Sequence, residues 1–368
     1  MAHTPPLSDT LTEGLKMLGR ELWNGRAGFE TVKGLVDELS TVPPRKISAV
    51  AEALRGSPYL WGMRMEAVPA SVGIFENIIR FPIWKTKPAG PPDRAGLLTL
   101  LKQTPRLEYL FLFHGDGYVR EAAVNKLSAA PSPFFIAALA LRLNDWVPEV
   151  RRAAGAAIER LFGDGDAPVM AEAALFLLAR TPLWSRNPVA FSILTNTFTR
   201  GDVVDALLAL LLKRTDALAL EAMRTALMNP AFDHHLLTIA MEAGNPAARM
   251  IAFGSLLRGD VRRRIGFEKQ WIDRTFNLYR RMPAFERREI VRPLPLHDLI
   301  ALAAQDRSAA VRRIAGDALV LHRRELPNIA PLLARLRNDR SAAIRQRIAF
   351  IDRDLGLELH PASGSKAP

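Results

Sequence analysis

The chain has 368 residues, 49% of them hydrophobic and 7% aromatic, with no cysteine and a formal net charge of +12. That content supports a sizeable core, as several compact domains or one elongated array, while the absence of cysteine excludes disulfides and thiolate metal sites and suits a reducing compartment. Apolar runs such as 206–212 are too short to cross a bilayer and no secretory signal is visible, so a soluble, cytoplasmic protein without a membrane span is expected.

In chain order, 11–40 holds amphipathic helical stretches interrupted by Gly25 and Gly28. Val42-Pro43-Pro44 breaks the pattern, a helix is predicted over 47–54, and Pro82, Pro88, Pro91 and Pro92 around Lys85 and Lys87 mark an extended loop over 81–92. Residues 1–95 therefore read as an N-terminal helical cap. Trp23, Trp61, Trp84 and Trp271 sit in apolar patterns or beside prolines and are expected in core or cap.

A phrase then recurs. It reads Val119-Arg120-Glu121-Ala122-Ala123, Val150-Arg151-Arg152-Ala153-Ala154, Val311-Arg312-Arg313-Ile314-Ala315 and Ile344-Arg345-Gln346-Arg347-Ile348, with a degenerate copy at Ala248-Arg249-Met250-Ile251-Ala252. Val119 and Val150 are 31 residues apart, Val311 and Ile344 33. Each unit is a helical pair: in 132–161, Ser132-Pro133 opens the first helix, Asn144-Asp145-Trp146-Val147-Pro148 turns, and the second helix places Val150, Ala153, Ala154, Ala157, Ile158 and Leu161 on one face. Further pairs are drawn at 167–180 with 188–199, 203–213 with 216–228, 233–243 with 246–258, 267–281 with 284–291, 296–304 with 308–321, and 328–337 with 341–354. Small alanines allow neighbouring helices to approach, and stacking buries a stripe that no isolated pair could cover. Residues 96–359 form the array. The Ser/Gly/Pro/Ala-rich tail 360–368 is expected to be disordered.

The turn-plus-helix motif resembles the HEAT-repeat family in its compact bacterial form. It is carried by Asn144-Asp145 before Val150-Arg151, Gln305-Asp306 before Val311-Arg312, Asn338-Asp339 before Ile344-Arg345, and Asp116 before Val119-Arg120. The resemblance implies an all-α fold, an α-solenoid: a right-handed superhelix of stacked antiparallel helical hairpins. It also implies an inter-repeat polar ladder joining Asp145, Asp306 and Asp339 with Arg151, Arg312 and Arg345.

Catalytic signatures are scarce: there is no Gly-rich phosphate loop, nucleophile elbow or His-Glu-x-x-His. His234 and His235 are helical neighbours about 100° apart and do not converge on one ion, while Asp233 is expected to cap the following helix. His114-x-Asp116 falls at a turn and earns no metal reading either. No metal site and no cofactor are implied. Trp146 and Trp184 lie in inter-helix turns, as stacking platforms or partner anchors on one reading; packing onto the next hairpin carries more weight.

Residues 258–354 hold 22 Lys+Arg against 12 Asp+Glu, whereas the rest of the chain holds 28 against 26. Arg262, Arg263, Arg264, Arg280, Arg281, Arg287, Arg288, Arg313, Arg323 and Arg324 are the candidate anion-binding residues there, beside a general preference for arginine over lysine of 40 to 10. The expected function is a non-catalytic interaction scaffold gripping a protein partner on a concave face. The alternatives are a nucleic-acid-binding solenoid using 258–354 and, by fold-level analogy, a HEAT-like DNA glycosylase.

Overall fold

The computed structural model describes residues 6–62, 90–184, 186 and 189–356. The tail 360–368, Trp84 and the loop 81–92 except its last three positions lie outside them. The fold is mostly helical with a small two-stranded sheet. Among the described residues, no helix is long and apolar enough to cross a membrane. The chain divides into two compact units, residues 1–177 with 183–197, and 178–182 with 198–368.

The first unit holds α1 (Asp9–Trp23), α2 (Phe29–Ser40), α3 (Ile47–Gly56), α4 (Arg94–Gln103), α5 (Leu107–Phe111), α6 (Gly117–Lys126), α7 (Pro133–Leu141), α8 (Pro148–Phe162), most of α9 (Ala167–Arg180) and α10 (Ala190–Thr197). Side-chain caps start several of them: Ser8 accepts from the amide of Leu11, Asp93 from Gly96, and Ser132 from Phe135. α1 packs on α2, α6 on α8, and α7 on α2 and α3. Val150, Ala154, Ala157 and Ile158 of α8 are buried, at the i+3/i+4 spacing expected of its inner face.

The second unit holds α11 (Gly201–Lys213), α12 (Ala217–Ala226), α13 (Leu236–Glu242), α14 (Pro246–Arg258), β1 (Asp260–Asp273), β2 (Leu278–Glu289), α15 (Leu296–Ala303), α16 (Ala309–His322), α17 (Ala330–Arg337) and α18 (Ala342–Asp354). Helices occupy the expected pairs with one exception. Residues 267–281 and 284–291, drawn as helices, belong to an antiparallel ribbon. Aromatic residues at Phe267, Trp271, Tyr279 and Phe285 favour strand, Gly266 and Pro283 disfavour a helix interior, and here they prevail over the helical rhythm on either side.

The recurrent phrase has one geometry in five places. Nη1 of Arg120, Arg151, Arg249, Arg312 and Arg345 donates to the two carbonyls six and five residues earlier, tying each second helix to its own turn. In three of these arginines, Nε and Nη2 then clamp a carboxylate of the next turn. Arg120 clamps Asp145 at 3.0 and 2.8 Å, Arg249 clamps Asp306 at 2.7 and 3.0 Å, and Arg312 clamps Asp339 at 2.6 and 3.0 Å. Each aspartate also accepts an amide two residues on, from Val147, Ser308 or Ser341, which shapes the turn itself. The rungs therefore join an aspartate carboxylate to the arginine of the preceding copy, so Arg151 and Arg345 bind the backbone carbonyls of Asp145 and Asp339 rather than their carboxylates.

Arg249, in the degenerate copy, is 1% exposed and makes a full rung, although 57 residues separate it from Asp306. Leaving out the 30 residues of the ribbon and its turn, 260–289, that separation is 27, the same as between Arg312 and Asp339. α14 packs directly on α15 and α16. The ribbon is thus an insertion between two adjoining helical pairs, and the contact between those pairs is kept.

Candidate functional site

The ribbon enters and leaves at one point, where the Ile290 amide donates to the Gly259 carbonyl at 3.0 Å. Gly259 takes φ +82°, a left-handed conformation that suits glycine and ends α14. At the tip, Asp273 accepts the amides of Thr275 and Phe276, and Asn277 adopts φ +52°. At roughly 3.3 Å per residue, the exposed stretch from Arg264 to Asp273 extends about 30 Å.

The register sorts the side chains into two unlike faces. Cross-strand pairs on one face are, from root to tip, Asp260/Glu289, Arg262/Arg287, Arg264/Phe285, Phe267/Pro283, Lys269/Arg281 and Trp271/Tyr279. The other carries Val261/Arg288, Arg263/Glu286, Gly266/Ala284, Glu268/Met282, Gln270/Arg280 and Asp273/Leu278. Its three arginines are balanced by Glu268, Asp273 and Glu286, and Arg263 pairs with Glu286 across the strands. A bulge at Ile265 keeps this sorting intact past the register shift.

On the first face, cations and rings interlock. The Arg264 and Arg281 guanidinium carbons lie 4.1 and 4.7 Å from the Phe267 ring centre. Lys269 Nζ lies 4.2 Å from the Tyr279 ring and 5.4 Å from that of Trp271, and those two rings meet edge to face at 5.4 Å. These contacts hold flexible cations over aromatic surfaces and fix where their charge is presented. Phe267, Trp271, Tyr279 and Phe285 are all exposed, as are Arg264, Lys269, Arg281 and Arg287.

The opposite face roots the ribbon in the helical body. Val261 is 2% exposed, and Arg288 donates from Nη1 and Nη2 to the Asp233 carboxylate and from Nη2 to the Leu227 carbonyl. Asp233 therefore anchors the ribbon instead of capping a helix. The acids at the root, Asp260 and Glu289, leave the basic charge toward the tip, because Asp260 takes Arg262 and Arg258.

The structure thus divides the candidate arginines. Arg264, Arg281 and Arg287 share the aromatic face; Arg262, Arg263 and Arg288 are taken by Asp260, Glu286 and Asp233. Arg280 lies on the balanced face. Arg323 and Arg324 both reach Asp354, far along the chain on α18, while Arg313 is exposed on α16 without a carboxylate among the described residues. Lys269 and the rings of Phe267, Tyr279 and Phe285 complete the face. Their signal in the sequence is the spacing of rings and cations about a turn, legible only once the segment is taken as strand.

Trp271, expected in core or cap, is 41% exposed near the ribbon tip. Trp146 is 59% exposed and does not pack away onto a neighbouring hairpin; Trp184 is half-buried. Trp61 packs at a tilt against buried His114 with ring centres 4.4 Å apart. Burial pushes the His114 imidazole down to about 4, against the partial pull of Asp116. The rings of His234 and His235 meet at a tilt with centres 3.9 Å apart, and no cluster of three metal-ligating side chains occurs among the described residues.

No known family, curated protein or solved structure matches this chain.

Proposed function

We propose that this protein binds single-stranded nucleic acid, with the ribbon laying its aromatic and basic face along the strand. The observation that carries this reading is the segregation of charge: one face of the ribbon alternates exposed rings with cations, four of which have no carboxylate among the described residues, while the other is neutral and rooted in the body at Val261 and Arg288. Rings separated by cations match a strand whose unstacked bases alternate with phosphates. Protein interfaces also enrich aromatic residues and arginine, and what favours a strand over a protein partner is the regular alternation of rings with cations along the face. The helical pairs, in this reading, are a HEAT-like solenoid that serves as the platform. The glycosylase alternative loses support at Asp145: the carboxylate beside Trp146 accepts four hydrogen bonds and has no lone pair left for chemistry.

Fluorescence anisotropy with a labelled single strand at two salt concentrations tests the proposal. Four phosphate contacts predict a slope of log affinity on log salt of about −3. Replacing Arg264, Lys269 and Arg281 with glutamine should flatten that slope by about 2, and Trp271→Ala should weaken binding roughly 10-fold. Salt-insensitive binding, binding indifferent to these substitutions, or a preference for blunt duplex over single strand would overturn it.

A further inference from the structure

The ribbon leaves one strongly charged cavity unexplained. It lies in the first unit, has a volume of about 460 Å³, and is lined by Arg55, Arg142, Asn144, Asp145, Trp146 and Arg186. That volume falls within the range of small-ligand sites. The Asn144 side-chain oxygen accepts the Arg186 amide at 3.0 Å, which ties that distant residue to the rim.

The charge in this cavity does not balance. Arg55, Arg142 and Arg186 line it and Arg120 lies beneath, yet among the described residues Asp145 is its one carboxylate. Asp145 is saturated: Oδ1 accepts from Arg120 Nη2 and the Val147 amide, and Oδ2 from Arg120 Nε and Arg142 Nη1. Arg55 and Arg186 find no carboxylate among the described residues, and Arg142 Nε is buried with no acceptor. Crowding shows in the protonation of these groups. Burial, with repulsion from Arg120 and Arg186, lowers the Arg55 guanidinium, and burial with repulsion from Arg120 and Arg55 brings Arg142 down to about 10 despite Asp145. A buried donor without an acceptor, beside unneutralised cations, calls for an anion.

Trp146 defines what kind of anion. Its ring is exposed between this cavity and a second, more apolar one of about 370 Å³ bounded by Tyr118 and Val147. The Arg120 and Arg55 guanidinium carbons stand 5.7 and 6.0 Å from its centre. Both lie over the indole ring, Arg120 buried and Arg55 exposed, so a planar ring resting on Trp146 has cationic groups beside it. We propose that this pocket binds a nucleoside phosphate, the phosphate among Arg55, Arg142 and Arg186 and the base on Trp146. The ligand is either a free nucleotide or the phosphorylated end of a strand. The inference rests on the first unit alone and is independent of the ribbon.

Isothermal titration of the full chain with AMP, adenosine, inorganic phosphate and a hexanucleotide with or without a 5′-phosphate tests it. AMP should bind more tightly than adenosine or phosphate. Trp146→Ala, and separately Arg55→Gln with Arg186→Gln, should each weaken AMP about 10-fold. All three side chains are exposed, so unchanged thermal melts will confirm that the variants fold. The triple glutamine variant of the ribbon should bind AMP as the parent does, which separates failure here from failure of the ribbon's role. Dependence of the hexanucleotide on its 5′-phosphate assigns the site to strand ends, and tighter AMP than hexanucleotide binding assigns it to free nucleotides. Lack of saturable AMP binding at millimolar concentration, or AMP binding unchanged in both pocket variants, would sink the proposal. So would inorganic phosphate binding as tightly as AMP.

Discussion

Excising the ribbon is the sharpest test of its status as an insertion. Residues 260–289 would be replaced by a flexible link of about four residues, which the closely held Gly259 and Ile290 accommodate. Two contacts dominate those lost with the body, alongside the Arg288 bond to the Leu227 carbonyl and the Asp260 pair with Arg258. Burial of Val261 contributes about 2 kcal/mol, and the forked bond of Arg288 to Asp233 contributes about 1–2 kcal/mol. The path between Arg249 and Asp306 shortens from 57 residues to about 31, which returns roughly 0.6 kcal/mol of closure entropy. The net cost is about 2–3 kcal/mol, or roughly 5–10 °C in Tm for a unit of this size. Circular dichroism during thermal and urea unfolding should show a cooperative transition with helical signal intact, while strand binding disappears. A non-cooperative transition, or a loss above about 5 kcal/mol, would refute the insertion and make the ribbon part of the core.

Other predictions follow from the ladder, from His114 and from the ribbon root. Asp145→Ala leaves Arg120, which is fully buried, and Arg142 without their carboxylate, and should cost about 3–5 kcal/mol in urea unfolding. His114 titrates near 4 when folded, below its ordinary 6.5, so the unfolded chain takes up its proton first as pH falls. Its contribution is full above pH 6.5 and declines to pH 4, by about 3 kcal/mol in total. His114→Phe should flatten the stability profile in that window and leave the steeper loss at lower pH. There, protonation removes the ladder aspartates, whose carboxyls the arginines hold below the usual range against the opposing effect of burial. Gly259→Ala places a Cβ 3.0 Å from Arg292 Nη2 on a residue with φ +82°, and should cost about 1–2 kcal/mol by thermal melt.

Much of the helical plan is legible because its signals are local and repeated. Asp145, Asp306 and Asp339 each precede a Val-Arg or Ile-Arg pair, and the turns and second helices stand where that spacing puts them. The partner of each aspartate was not legible, because sequence proximity favours the arginine six residues on while the fold supplies one 25, 57 or 27 residues before Asp145, Asp306 and Asp339. Arg249 was masked by the loss of valine in its phrase, yet its side chain keeps the whole pattern of bonds. The ribbon was lost to rhythm: helix-forming Arg, Glu and Met dilute the alternation of rings, and the tip lacks an Asn-Gly turn. Once 260–289 is paired, the split between a ring-and-cation face and a neutral face follows from a period of two, and three of the seven suspected ribbon arginines, Arg263, Arg280 and Arg288, fall on the neutral face.

The Arg249–Asp306 rung also constrains the order in which the second unit forms. In an unpaired chain this contact must close a loop about twice as long as the one closed by Arg312 and Asp339. If the strands zip first, their ends come together at Gly259 and Ile290, and the remaining path is as short as any other rung's. Hairpins close in about 1–10 μs, so early pairing is the cheaper route. The turn at Asp273 and Asn277, exposed and remote from the helices, is then a control point for the folding rate of the helical pairs that the ribbon interrupts.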